Sequence, residues 1–167
     1  MLEAEEFLGR LRADFPEFRF TPGRRFTFRP PKTIVVEPYD SATEVATGVT
    51  TGGVPPQNAE EASCGATESR LSVDAWKLLL LHELGHATLG HRDFKTHVGR
   101  LKMEVAAWEK ARELASLYGA QFDDELMEAE LDSYRDWVHQ KSRCPKCGLT
   151  RYETPEGDLH CPRCENI

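Results

Sequence analysis

The chain has 167 residues and a formal net charge of −7. That length fits one principal domain with a small appendage, and the acidic balance argues against a general binder of nucleic acid or anionic membrane. The longest apolar run, Leu78–Leu81, is far too short to span a bilayer, and the acidic opening MLEAEEFLGRLRADF lacks the basic and apolar regions of a secretory signal. A cytoplasmic protein with reduced cysteines is therefore expected.

Residues 2–15 place Ala4, Phe7, Leu8, Leu11 and Phe15 at helical spacing, so the chain should open with an amphipathic helix stopped by Pro16. A basic, proline-punctuated stretch follows. TIVVE, Thr33–Glu37, then reads as a buried strand, and two further short strands are expected around TEVATGV and CGATESRL, joined by a Gly/Pro-rich loop. Ser72 is a good N-cap for the next helix, which is apolar on almost every face from Trp76 to Leu89 and has Gly90 placed to end it. A third helix is expected over Val98–Tyr118 with Gly119 as its stop, and a fourth over Asp123–Gln140 with Met127, Leu131, Tyr134 and Val138 on one stripe.

The central helix contains HELGH. Residues four apart lie above one another, so His82 and His86 can both point at one zinc ion. Glu83, rotated by one residue, stands beside the metal, where a general base must sit to take a proton from a water on it. Gly85 removes a side chain where another element can pack closely. Two histidines buried in so apolar a helix need a partner.

A catalytic zinc takes three protein ligands and leaves a fourth position open. The longer motif HExxHxxGxxH needs Gly at 89 and His at 92, where this chain has Leu89 and Arg92; His91 falls one residue short and reads as a cap or rim residue. His97 stands in the loop before the third helix as a second candidate. Glu104 is favoured, because it lies on the inward stripe Leu101, Trp108, Ala111, Ala115 and Tyr118, where an acid needs a cation. The alternative for it is a buried ion pair, with Arg24 or Arg25 as partner.

The tail holds CPKCG at 144–148 and CPRC at 161–164, with thirteen residues between Cys147 and Cys161. Cys144, Cys147, Cys161 and Cys164 at this spacing read as a closed tetrahedral zinc site, a four-cysteine zinc ribbon around a hairpin. The ribbon is mildly basic and offers a surface for protein or nucleic acid.

HELGH together with EVAAW from Glu104 resembles the zincin metallopeptidases of the gluzincin branch, and the layout resembles the ImmA/IrrE group. The resemblance implies an α+β protein with a zincin-like domain at 1–120 (N-terminal helix, small mixed sheet, HExxH helix, glutamate helix), an extra helical connector at 121–141 and the ribbon at 142–167. It implies one catalytic and one structural Zn2+, with Glu83 as general base in hydrolysing a peptide bond of an intracellular protein. An oxyanion donor is implied as well, with His91, His97, Tyr118 and Tyr134 as candidates. Related peptidases often carry Asp or Asn four residues after the ligand glutamate, where this chain has Trp108. By the same resemblance the substrate strand would lie around Ala62–Ser69, where Cys64 reads as a lone buried thiol. Two alternatives stand: a SprT-like protease of DNA-bound proteins, with His97 as third ligand, and a non-catalytic binding protein on the same scaffold.

Overall fold

The computed structural model describes residues 2–39 and 71–164. The strands expected around TEVATGV and CGATESRL, the substrate strand and Cys64 lie outside the described residues. The architecture is α+β. Helix α1 (Leu2–Asp14) leads into strands β1 (Arg19–Pro22), β2 (Thr27–Arg29) and β3 (Thr33–Val36), followed by α2 (Val73–Thr88), α3 (His97–Tyr118) and α4 (Asp124–Ser142), and then a small hairpin of β4 (Tyr152–Glu153) and β5 (Leu159–His160).

The basic, proline-punctuated stretch contains β1 and β2. Their signal is weak because each is only three or four residues long and mostly exposed, whereas β3 carries three buried residues in a row. β3 lies in the centre of the sheet, parallel to β1 and antiparallel to β2, with Phe20 opposite Ile34 and Phe28 opposite the same residue on the other side. That central place in the sheet goes with the unbroken apolar run Ile34, Val35 and Val36, all buried.

Helix α2 begins where its cap predicts: Ser72 Oγ accepts a hydrogen bond from the Ala75 backbone N–H at 3.1 Å. It is the spine of the core. Leu78, Leu80, Leu81 and Leu84 are fully buried, together with Leu11 of α1, Ile34 of β3, Trp108 of α3 and Leu126 of α4. Trp76 joins helix to sheet, with its ring against Phe26 and Tyr39 and its indole N–H donating to the Glu37 carbonyl at 2.7 Å. α3 starts one residue earlier than the periodicity suggests, because Thr96 caps it through the Gly99 N–H, and it ends at Gly119 in the left-handed region. Its most extensive partner is α2.

That pairing depends on Gly85. A Cβ there would lie 2.5 Å from the Ala107 carbonyl oxygen, so only glycine lets α2 and α3 approach this closely. No helix among the described residues is long and apolar enough to cross a membrane.

Candidate metal centre

The close approach at Gly85 brings His82 and His86 of α2 to Glu104 of α3. His82 Nε2 and His86 Nε2 are 3.1 Å apart, and Glu104 Oε2 lies 3.3 and 3.2 Å from them. All three residues are buried. A tetrahedral zinc with bonds of about 2.0–2.1 Å sets its ligand atoms about 3.3 Å apart, which is close to this triangle. The chemistry of the set agrees with its size: two ring nitrogens and a carboxylate oxygen face one another, and a dication satisfies all three. The triangle could hold a metal ion.

Burial pushes the Glu104 carboxyl up, but the two imidazoles against it outweigh that and hold it well below the usual carboxylate range. Its other oxygen faces Arg100 Nε at 3.8 Å, one helical turn earlier. The partner expected from Arg24 or Arg25 is thus supplied from within α3, a pairing visible in the i, i+4 spacing of Arg100 and Glu104. Arg100 is itself held by rings, with its guanidinium over Phe94 at 5.0 Å, Tyr134 at 5.3 Å and Trp137 at 5.4 Å.

Around the triangle the two imidazoles are held differently. With its Nε2 turned inward, His86 meets His91 Nδ1 through its own Nδ1 at 2.8 Å, and a metal on Nε2 would make His86 Nδ1 the donor of that bond. His91 therefore orients a donor and does not join the triangle; burial, and then His86 beside it, lower its pKa. His82 has no such partner: its Nδ1 is buried without a hydrogen bond among the described residues. The Trp108 ring lies against His82 instead, with centroids 4.4 Å apart and planes at 30°. The residue that replaces the Asp or Asn of the resemblance thus fixes the imidazole by stacking.

Glu83 projects to the other side of His82 and accepts a hydrogen bond from the Phe28 backbone N–H of β2. The base candidate is thereby fastened to the sheet.

The remaining candidates go elsewhere. Tyr118 lies fourteen residues beyond Glu104, about 21 Å along the helix, donates to Asp14 Oδ2 at 2.7 Å and packs on Phe7 and Phe15. Burial, then Asp14, push its pKa up to about 12. It is a tie between α3 and α1, not part of the site. His97 is also outside the triangle: its ring bonds the Glu153 carboxylate of β4, which accepts the His97 backbone N–H at 2.8 Å as well. Tyr134 lies next to Arg100, its ring 5.3 Å from the guanidinium that pairs with Glu104. Burial raises its pKa first and the charge of Glu104 adds to that, so the phenol keeps its proton.

The four tail cysteines form a second cluster, with ligand atoms within 4.8 Å of one another and Cys147 Sγ 3.6 Å from Cys161 Sγ. Zinc–sulfur bonds of about 2.3 Å imply sulfur separations of about 3.8 Å. Burial raises the Cys144 thiol, but the Cys147 and Lys146 backbone N–H groups outweigh it and bring it down to about 6. Cys164 is pushed up to about 12, first by its hydrogen bond with Cys147. Four thiols so close cannot all ionise without a cation between them, and this cluster could hold one.

The ribbon is fastened to the main body. Glu153 reaches the first turn of α3, accepting from the Val98 N–H at 3.4 Å in addition to His97, and Gly157 sits so close to Lys95 that a Cβ would meet its carbonyl oxygen at 2.2 Å. Neither contact has a signature in the sequence, since each joins residues more than fifty positions apart through backbone atoms. No family model, curated protein or solved structure matches the chain.

Proposed function

We propose that the protein is a zinc-dependent peptidase of the zincin type, gluzincin-like, that hydrolyses a peptide bond of an intracellular protein. One observation carries the reading: His82, His86 and Glu104 converge as three donors, while Glu83, the helical position after His82, has its carboxylate fastened to the Phe28 N–H of the edge strand β2. The order of elements, helix, small sheet, HExxH helix and glutamate helix, supports it.

A zinc ion held by the three donors would supply Lewis acidity and lower the pKa of water to about 7. Glu83 accepts the proton of the attacking water and delivers it to the leaving amine. The Phe28 N–H keeps its carboxylate turned to the substrate side. Tyr134, whose ring lies 5.3 Å from the Arg100 guanidinium that pairs with Glu104, is our candidate to donate to the developing oxyanion. His91 holds His86, Trp108 holds His82 and Arg100 holds Glu104, so each donor has one neighbour that fixes it. The cysteine cluster would hold a second, structural zinc. His97 is bound to Glu153, which removes the ligand on which the SprT-like alternative rests.

The test is Glu83→Gln. It should retain two zinc ions per chain and lose proteolysis of proteins trapped by the same variant from cells. A wild-type chain that holds both metals and cleaves none of the trapped proteins would refute the peptidase reading in favour of a binding protein.

A further inference from the structure

The charge of this chain is strongly segregated. Between Arg19 and Lys32 there are five basic residues, Arg19, Arg24, Arg25, Arg29 and Lys32, and no acidic one, so the remainder of a chain of net −7 carries −12. These five are exposed, and none of them forms an ion pair among the described residues. Elsewhere the exposed cations Arg112 and Arg135 do find acids. Glu37, at the end of β3, senses Arg25, but burial raises its carboxyl all the same. An uncompensated cluster on an acidic protein costs solubility nothing and offers a long-range field to an anion.

The cluster is shaped. Arg24, Arg25 and Arg29, with Thr21, Thr27 and Gly23, line a depression of about 340 Å³ between β1, β2 and the turn joining them. It is also placed. Thr27 and Arg29 flank Phe28, whose N–H holds Glu83, but neighbouring strand residues point to opposite faces, so with Thr21 and Val35 they line the depression on the outer face of the sheet. An extended chain along the edge strand β2, whose own side chains alternate in the same way, reaches both that face and the anchor of the base about 3.3 Å further along.

We propose that this depression is a substrate subsite for acidic side chains: the peptidase takes a polypeptide whose Asp or Glu residues enter between Arg24, Arg25 and Arg29 while the neighbouring backbone runs along β2 past Glu83. Guanidinium forks and threonine hydroxyls are the groups that bind carboxylates in pairs. The volume suits one or two side chains. A nucleic acid fits less well, because a long polyanion that engages this patch must run onto a surface carrying −12. The inference rests on the peptidase reading for its substrate, yet its test needs no hydrolysis.

The probe is a fluorescein-labelled twelve-residue peptide with four glutamates beside an apolar centre, titrated against zinc-loaded, full-length Glu83→Gln protein by fluorescence anisotropy. Comparators are the same peptide with lysines in place of the glutamates and a twelve-nucleotide single-stranded DNA. The acidic peptide should bind at least about tenfold tighter than the lysine one, and the double variant Arg24→Glu/Arg25→Glu should lose that preference while keeping two zinc ions. Arg29→Lys should weaken binding less than Arg29→Glu. Equal affinity for the two peptides, no binding of the acidic one, or tighter binding of DNA that the same reversal abolishes would each overturn the proposal. Failure of the wild type to cleave would count against the peptidase reading alone and leave the binding result standing.

Discussion

Gly85→Ala tests whether the three donors are assembled by the approach of two helices. The new Cβ would sit 2.5 Å from the Ala107 carbonyl oxygen and 3.3 Å from its carbon. A carbon–oxygen contact settles at about 3.3 Å, so the helices must part by about 0.8 Å. Both partners are backbone in long helices, and neither can turn aside. Overpacking of this kind costs about 1–3 kcal/mol, which for a chain of this size lowers Tm by about 3–10 °C. Glu104 lies one turn before Ala107 and moves with it, stretching its 3.2 and 3.3 Å separations from the imidazoles towards about 4 Å. The expected consequence is a loss of zinc affinity of about 10–100-fold at this site, as when a ligand loses its supporting partner. The assay is zinc per chain after dialysis against a graded chelator, together with a thermal melt. Gly9→Ala is the control: it lies on the exposed face of α1 with nothing within 4 Å of the added Cβ, and should stabilise by about 0.5–1 kcal/mol. A Gly85→Ala protein that holds both metals against the same chelator and melts like the parent would refute the reasoning.

Arg100→Gln should lower zinc affinity at the same site by about tenfold, and Arg100→Lys should not restore it, because only the planar guanidinium can lie over Phe94, Tyr134 and Trp137 while facing Glu104; metal competition titrations read this. Tyr134→Phe should reduce kcat by about 10²-fold with KM and zinc content little changed, and an unchanged kcat would remove Tyr134 as oxyanion donor. Glu153→Gln should destabilise at neutral pH by about 1–2 kcal/mol through loss of the charged acceptor at the α3 N-terminus. Burial raises the Glu153 carboxyl, but the His97 and Val98 N–H groups and the His97 ring bring it below its ordinary value. A lowered folded pKa stabilises above the unfolded value of about 4.3 and is lost as pH falls through the folded one, so the Tm difference between wild type and Glu153→Gln should shrink below about pH 4.

Much of the donor set is legible in the sequence because its signals are local. HELGH places two of the three converging donors and Glu83 within about one helical turn, and the stripe Leu101, Trp108, Ala111 makes Glu104 conspicuous as an acid facing inward. Gly85 is readable as a place of close packing, though not which carbonyl it meets. The CxxC pairs need only their spacing. What escapes is carried by backbone atoms or by distant partners. β1 and β2 are too short and too exposed for periodicity to mark them, so the anchor of Glu83 on Phe28 N–H has no trace in the sequence. Tyr118 shares the inward stripe of Glu104, yet a 22-residue helix is long enough for one stripe to serve two ends of a core, and its hydroxyl belongs to Asp14.

The longest consequence concerns the tail. Composition and spacing mark the ribbon off from the main body, and a metal ion between its four cysteines would stabilise a segment too small for a core of its own. Its contacts nevertheless run towards the first site. Glu153 accepts from the first turn of α3, the His97 ring it holds lies 5.0 Å from Trp137, Trp137 underlies Arg100, and Arg100 faces the free oxygen of Glu104. Each link is a direct contact, and the whole path spans less than two turns of α3 plus one face of α4. A ribbon that loses its four-cysteine fold withdraws Glu153 and releases the helix end from which Arg100 projects. Glu104 then keeps its place through the rest of α3, which packs on α2 at Gly85 and in the core at Trp108 and Ala111. The two donor clusters are separate in chemistry but share this helix end, so the stability of the ribbon enters the geometry of the histidine–glutamate centre through α3.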